Sequence, residues 1–267
     1  MGINRATLRP CRKHALVIGG ARGIGEAIVR RLAAEGYALT IADHLGKLAE
    51  ELACELRESG FYACGEEVDI TSEVDLKRLA QAVRRRTGEN GLHAAVNSVG
   101  VFDERRPLLQ TPLKSFQRVL NVNVVGALLF AQAVAPLLAH GASFVHIGSV
   151  NGFVAGAGLG AYKVSKAALH MLSRCLALEL APAPRRIRVN VVAPGWVDTP
   201  GERHALRRRK GRPHPLDDPE AAKKWFPLGC RVDASELAGL VAFLCSSQGA
   251  SITGQIIPVD SGMTASG

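Results

Sequence analysis

The chain has 267 residues, 47% of them apolar, and 28 glycines, a balance that suits one large buried core with many tight turns and argues against disorder. Its formal net charge of +9 raises the question of a nucleic-acid partner, but Arg5, Arg9, Arg12 and Lys13 and the stretch 201–212 carry the whole excess. No basic face runs along a regular element, so nucleic acid is not expected as a partner, nor, since the longest apolar run is too short to span a bilayer, is a membrane.

Short apolar bursts alternate with segments of helical period along the chain. HALVIG (14–19) reads as a buried strand, and GIGEAIVRRLAAEG (23–36) as a helix closed by Gly36. ALTIAD (38–43) is a second strand, 47–60 a helix, and YACGEEVD (62–69) a weaker third strand. Ser72 opens a helix to about residue 87 with a capping-box-like S-E-V-D. LHAAVN (92–97) is a fourth strand. Thr111 as N-cap and Pro112 at the first helical position then open a long helix over 112–139. That helix carries the longest apolar run, 124–139, whose sixteen residues are too few to span a bilayer and are read as a buried helix. SFVHIGS (143–149) is a fifth strand, 161–181 a helix ended by Pro182 and Pro184, and RIRVNVVAPG (186–195) a sixth strand. Asp233 to Glu236 cap a helix through Leu244, and QIIPV (255–259) is the last strand.

Strands alternating with helices and reading as near-continuous apolar runs predict an α/β fold: a single-domain, doubly wound Rossmann fold with a parallel sheet of about seven strands and helices on both faces. Residues 1–12 are expected to form a basic tail, and 13–267 one dinucleotide-binding and catalytic domain. Within it, the irregular stretch at about 196–232 is too long for an ordinary connection and is read as a lid.

IGGARGIG (18–25) falls where the first strand becomes the first helix, and Gly19, Gly23 and Gly25 have the spacing G-x-x-x-G-x-G. Small residues there let the backbone approach a pyrophosphate, which the helix N-terminus attracts with unpaired N–H groups. Asp43, at the end of the second strand, is placed to accept hydrogen bonds from ribose hydroxyls and to repel a 2′-phosphate. Arg22 pulls toward NADP, but a carboxylate at the ribose outweighs a guanidinium able to swing into solvent. NAD is therefore the expected cofactor and NADP the alternative.

Tyr162 is followed four residues later by Lys166, one helical turn on. The pair is either two surface side chains or a phenol held beside an ammonium, which would favour the phenolate of a group that otherwise titrates near 10. Of the three tyrosines only Tyr162 has Lys at that offset. Ser149 lies at a strand's carboxyl end, where sheets of this type place ligands.

Further stretches complete a pattern. These are Asp69 after the third strand, N-S-V-G (97–100), N-V-V-G (123–126), G-S-V (148–150), Y-K-V-S-K (162–166), P-G-W-V-D-T-P (194–200), and I-T-G-Q with V-D-S-G near the end. With G-G-A-R-G-I-G at 19–25 the chain resembles the short-chain dehydrogenase/reductase family, of the single-domain type, from about residue 13 to 262. It departs from that pattern at Ile18, Ser98 and Ser261, and at none of the proton-transfer positions. The resemblance implies that Ser149 binds the substrate oxygen and Tyr162 is the general acid/base. Lys166 holds the nicotinamide ribose and lowers the Tyr162 pKa, and Asn123 holds a relay water. It further implies a cofactor site built from Gly19, Arg22, Gly23, Ile24, Gly25, Asp43, Asp69, Ile70, Asn97, Val99, Gly100, Pro194, Gly195, Val197 and Thr199, together with Tyr162 and Lys166. Asn151 and Gly195 join Ser149 and Tyr162 around the substrate.

The expected function is interconversion of a secondary alcohol and a ketone by hydride transfer with NAD. The alternatives are an NADPH-dependent ketoreductase of the 3-oxoacyl-carrier-protein reductase type and a non-catalytic dinucleotide sensor. The family resemblance also implies a homotetramer built through the helices at 112–139 and 161–181. The six cysteines show no C-x-x-C pair and are read as reduced thiols of a cytoplasmic protein. The histidines show no H-x-x-x-H or H-E-x-x-H spacing, so no metal site is expected, while His204 and His214 of the lid are candidates for touching substrate; its basic run (Arg207, Arg208, Arg209) reads first as a solvated loop and alternatively as a site for an anionic substrate group.

Overall fold

The computed structural model describes residues 13–197, 199, 223 and 225–265. The tail 1–12, most of the expected lid, and with them His204, His214 and Arg207 to Arg209 lie outside the described residues. Seven parallel strands form one sheet in the order β3-β2-β1-β4-β5-β6-β7. They are β1 (His14–Ile18), β2 (Ala38–Asp43), β3 (Ala63–Glu67), β4 (Leu92–Asn97), β5 (Leu138–Ile147), β6 (Arg188–Pro194) and β7 (Ile256–Val259). Every residue of β1, β2 and β6 is buried, as strands covered on both faces require.

Helices α1 (Gly23–Ala34), α2 (Gly46–Glu58) and α7 (Ala234–Cys245) cover one face with Ile28, Leu32, Leu52, Leu237 and Val241. Helices α3 (Glu73–Thr87), α5 (Gly126–Val134) and α6 (Gly160–Leu180) cover the other with Leu79, Val83, Phe130 and Leu176. Each such side chain taken wholly from water stabilises the fold by about 1.5–3 kcal/mol. The caps behave as their sequences suggest. Ser72 Oγ accepts the Asp75 N–H at 3.2 Å, and Asp233 and Glu236 form a reciprocal capping box.

Two expectations are corrected. The helix expected over 112–139 begins one residue later and is not uniform. Pro112 is the N-cap of α4 (Leu113–Leu120), while Thr111 bonds back to the Pro107 carbonyl. A π-helical turn (Asn121–Val125) joins α4 to α5, and a 3₁₀ turn (Ala135–Leu137) around Pro136 ends the stretch. Strand β5 then starts at Leu138, not at residue 143, because Leu138 pairs with Leu92 and a register shift absorbs the residues before Ser143. The helical stretch Leu113–Leu137 is also longer than its apolar run, and by length and composition alone is apolar enough to cross a membrane. Its inward side, with Val119, Ala127, Phe130 and Val134, belongs to the protein's own interior.

Strand order reverses between β1, which leads outward to β2 and β3, and β4, which leads toward β7. The crevice outside the carboxyl ends of β1 and β4 is where such sheets receive ligands, and the candidate residues collect there.

Candidate functional site

The glycine turn is shaped by close approach. A side chain at Gly25 would put its Cβ 1.9 Å from the Gly19 carbonyl oxygen, and one at Gly19 would lie 2.9 Å from the backbone of Ser98 and Val99. Gly19 and Gly23 both take positive φ, +76° and +59°, which L side chains disfavour. Helix α1 starts from an extended, exposed Arg22 and has no side-chain cap hydrogen bond, which leaves its first N–H groups without a side-chain partner. Ile24 behind them packs on the core. This combination fits a pyrophosphate.

Asp43 is buried at the end of β2 and accepts the Ala21 N–H at 3.1 Å and the Leu45 N–H at 3.0 Å, with His44 Nδ1 3.0 Å away. It therefore ties the glycine turn to β2 while presenting a negative charge at the crevice. An open depression beside it is lined by His44, Glu66, Glu67, Asp69, Asp75 and Arg78, four carboxylates against one guanidinium. Asp69 is turned back on its own loop, where it accepts from the main chain and hydroxyl of Thr71, both at 2.8 Å. Ile70 is buried against Gly126 on the far side. Its side chain and carbonyl both pack there, so its side chain is turned away from the ligand role expected for it.

Across the crevice, Asn97 Oδ1 accepts the Val99 N–H at 3.0 Å, which holds Val99 against Gly19. Gly100 lies close against Lys166, since a Cβ there would stand 3.1 Å from Nζ. Pro194 and Gly195 end β6. Gly195 lies so close to Asp260 that a side chain would clash at 2.8 Å, and Val197 bridges to Val232. Thr199 returns to within 3.6 Å of a Cβ at Gly23, which places it over the glycine turn.

Helix α6 brings the remaining groups together. Lys166 is buried and donates to the Ile147 carbonyl at 2.9 Å, and its Nζ lies 5.7 Å from the centre of the Tyr162 ring. Burial pulls the Lys166 pKa down to about 8. Phe102 packs edge-on against Tyr162 at 6.2 Å. Asn123, in the π turn, holds the loop that carries Phe102, exchanging two 2.8 Å bonds with the main chain of Val101 and donating to Ser165 Oγ at 2.9 Å. Its amide is thus occupied, so the water expected at Asn123 would have to sit at its main chain. Ser149 follows β5, buried, with Oγ accepting from the main chain and side chain of Asn151.

Two residues not singled out in the sequence complete this region. Lys163 donates to Asn151 Oδ1 at 2.6 Å. His170, buried, accepts the Ser149 N–H at 3.5 Å and packs at a tilt against Phe153, ring centres 4.9 Å apart. The signal for His170 was present, since Tyr162, Lys166 and His170 recur every four residues on one face of α6.

A glycine turn at the topological switch point, facing a Ser–Tyr–Lys cluster across the crevice, defines a nucleotide-binding oxidoreductase of the doubly wound class. The family model described as Enoyl-(Acyl carrier protein) reductase matches residues 19–264, and the chain belongs to the short-chain dehydrogenase/reductase family. It is similar to the carbonyl reductase family member 4 of Danio rerio, 33% identical over 93% of this chain and 97% of the relative. It is also similar to the 3-oxoacyl-[acyl-carrier-protein] reductase FabG of Aquifex aeolicus, 32% identical over 94% and 97% of the two chains. Among solved structures, a short chain dehydrogenase from Burkholderia cenocepacia in complex with NADP superposes with a TM-score of 0.81 at 32% identity, covering 96% of this chain and 99% of that one.

Proposed function

We propose that the protein interconverts a secondary alcohol and a ketone, with NAD favoured over NADP. The observation that carries this is the burial of Lys166 against the Tyr162 ring while it donates to the Ile147 carbonyl, two residues before the buried Ser149. When bound, the dinucleotide supplies or accepts the hydride. Gly19, Gly23, Gly25 and the first turn of α1 hold its pyrophosphate, and Asp43 the adenosine ribose. Asn97, Val99 and Thr199 line the path toward Tyr162. In reduction Tyr162 Oη gives its proton to the carbonyl oxygen; in oxidation it takes the hydroxyl proton. The Lys166 ammonium stabilises the phenolate in both directions. Ser149 holds the same oxygen, and the main chain at Asn123 in the π turn would hold the relay water.

Preference for NAD is supported by Asp43 and by the acidic lining beside it, both adverse to a 2′-phosphate. The second reading, an NADPH-dependent carrier-linked 3-oxoacyl reductase, is favoured by the likeness to the Aquifex enzyme and to the NADP-bound Burkholderia structure. A homotetramer is supported by outward apolar residues, Leu113 and Leu128 on the α4–α5 stretch and Val164, Met171 and Leu178 on α6. Light scattering checks it, and a monomeric mass excludes it. The cytoplasmic reading is supported by free thiols at Cys54, Cys64, Cys175, Cys230 and Cys245; a mass spectrum of native protein showing paired cysteines would count against it.

The decisive experiment follows NADH and NADPH absorbance with a panel of ketones, including a 3-oxoacyl thioester, and the matching alcohols with the oxidised cofactors. Turnover of simple ketones with NADH supports the first reading. Turnover confined to the thioester with NADPH moves the conclusion to the second.

A further inference from the structure

A serine hydroxyl has one hydrogen to donate and two lone pairs to fill. Both lone pairs of Ser149 Oγ are already met, by the Asn151 main-chain N–H at 3.1 Å and by Asn151 Nδ2 at 3.3 Å. At the other end of the same amide, Lys163 Nζ donates to Oδ1 at 2.6 Å and to the Val154 carbonyl at 3.1 Å. An ammonium has no lone pair, so it dictates which end of the Asn151 amide is the oxygen. The NH₂ end must then face Ser149.

We infer that Lys163 and Asn151 form a polarity chain that fixes the Ser149 hydroxyl as a donor only, its proton directed at the substrate oxygen. The inference rests on the carbonyl–alcohol reading of the site and adds two positioning residues to it. Each link has one permitted direction. Lys163 donates to Asn151, Asn151 donates to Ser149, and Ser149 is left with a hydrogen and no acceptor among the described residues. A hydroxyl without this constraint would turn its proton toward the nearest protein acceptor for part of the time. Held outward, it needs no reorganisation when negative charge develops on the substrate oxygen, the condition under which such donors contribute most. Both positioning residues sit on regular structure. Lys163 lies in the first turn of α6, one residue from Tyr162, and Asn151 in the 3₁₀ turn (Val150–Gly152) capped by Ser149 itself. The same helical turn thus carries the candidate proton donor and the group that orients its partner.

The test compares Asn151→Asp with Asn151→Ala. Aspartate keeps the size of the side chain and the bond to Lys163 but replaces the donating NH₂ by an acceptor, to which Ser149 would turn its proton. The expected result is that Asn151→Asp loses kcat on a reducible ketone by on the order of 100-fold, the usual cost of losing one oxyanion donor. It should lose more than Asn151→Ala, although its thermal midpoint equals or exceeds that of the unsubstituted protein and its NADH affinity is unchanged. Lys163→Met should lower kcat and Lys163→Arg restore it. The opposite order, Asn151→Asp more active than Asn151→Ala, would mean that the chain is only a structural clamp and would overturn the inference. Neutron diffraction from the deuterated full-length protein gives a readout that needs no turnover. A Ser149 deuteron directed into the crevice supports the inference, and one directed at Asn151 refutes it. If the unsubstituted protein reduces no ketone, the functional reading fails while the deuteron position still decides this one.

Discussion

His170 accepts the main-chain N–H of Ser149 from inside the fold, at 3.5 Å. The chain around Ser149 wraps the imidazole so closely that a Cβ at Gly148 would lie 2.5 Å from Nε2 and one at Gly152 2.3 Å from Cε1. Glycine at 148 and 152 is therefore a packing requirement of His170. Gly152→Ala should displace the Ser149 turn and lower kcat at least ~10-fold through misplacement of a reacting group, with NADH affinity unchanged. Adding His170→Ala should recover part of the loss by opening the space. Steady-state kinetics and NADH titration of both variants check this, and equal activity of Gly152→Ala and the unsubstituted protein would refute it.

Tyr162→Phe removes one oxygen from a ring that keeps its contacts with Phe102 and Lys166. The expected loss of kcat is roughly 100- to 10,000-fold, the range for a positioned general acid, with the NADH dissociation constant within about twofold of normal. Stopped-flow measurement of hydride transfer, alongside fluorescence titration of NADH, separates the two effects.

Asp43→Asn tests cofactor choice with little change of shape. One side-chain oxygen remains to accept from Ala21 or Leu45, while the charge is lost. The ratio of kcat/KM for NAD over NADP should fall at least ~10-fold, about 1.4 kcal/mol of discrimination. A ratio that does not move would place the selectivity elsewhere in the acidic depression.

Three buried histidines tie stability to pH. Burial first, then neighbouring cations, pulls His146 down to about 3 and His14 and His170 to about 4. Because these folded-state values lie below the ordinary 6.5, the unfolded chain binds protons that the native chain does not. Stability is therefore fully present above pH 6.5 and falls as pH drops toward 4, by roughly 1.4 kcal/mol per histidine per pH unit. Urea denaturation at pH 7 and pH 5 should show this loss. His146→Asn, which keeps an acceptor for the Asn97 amide now bonded to Nδ1 at 3.3 Å, should remove about one third of it. Equal stability at the two pH values would contradict the assignment.

Gly25→Ala addresses the glycine turn. Its Cβ would meet the Gly19 carbonyl at 1.9 Å, a backbone contact that no rotamer relieves. The fold should lose about 1–3 kcal/mol, the usual cost of overpacking, and NADH affinity should fall more than the stability loss explains. Calorimetry with and without NADH measures both.

The parallel sheet and the glycine turn were legible in the amino-acid order alone, because fully buried strands are written as unbroken apolar runs and tight backbone turns as glycine at fixed spacing. So was the Tyr162–Lys166 pairing, since helical period places residues four apart on one face. The π turn at Asn121–Val125 and the early start of β5 at Leu138 were not. The π turn is followed by Gly126 packed on Ile70, and β5 starts where Leu138 finds Leu92, contacts between segments far apart in the chain. The same holds within the site. Nothing local to Asn123, Lys163 or His170 says which main-chain group or amide each would meet. Only the folding of α6 across the carboxyl ends of β4 and β5 turned Lys163 toward Asn151 and His170 toward Ser149, because direction in a hydrogen bond belongs to the pair and not to either residue alone.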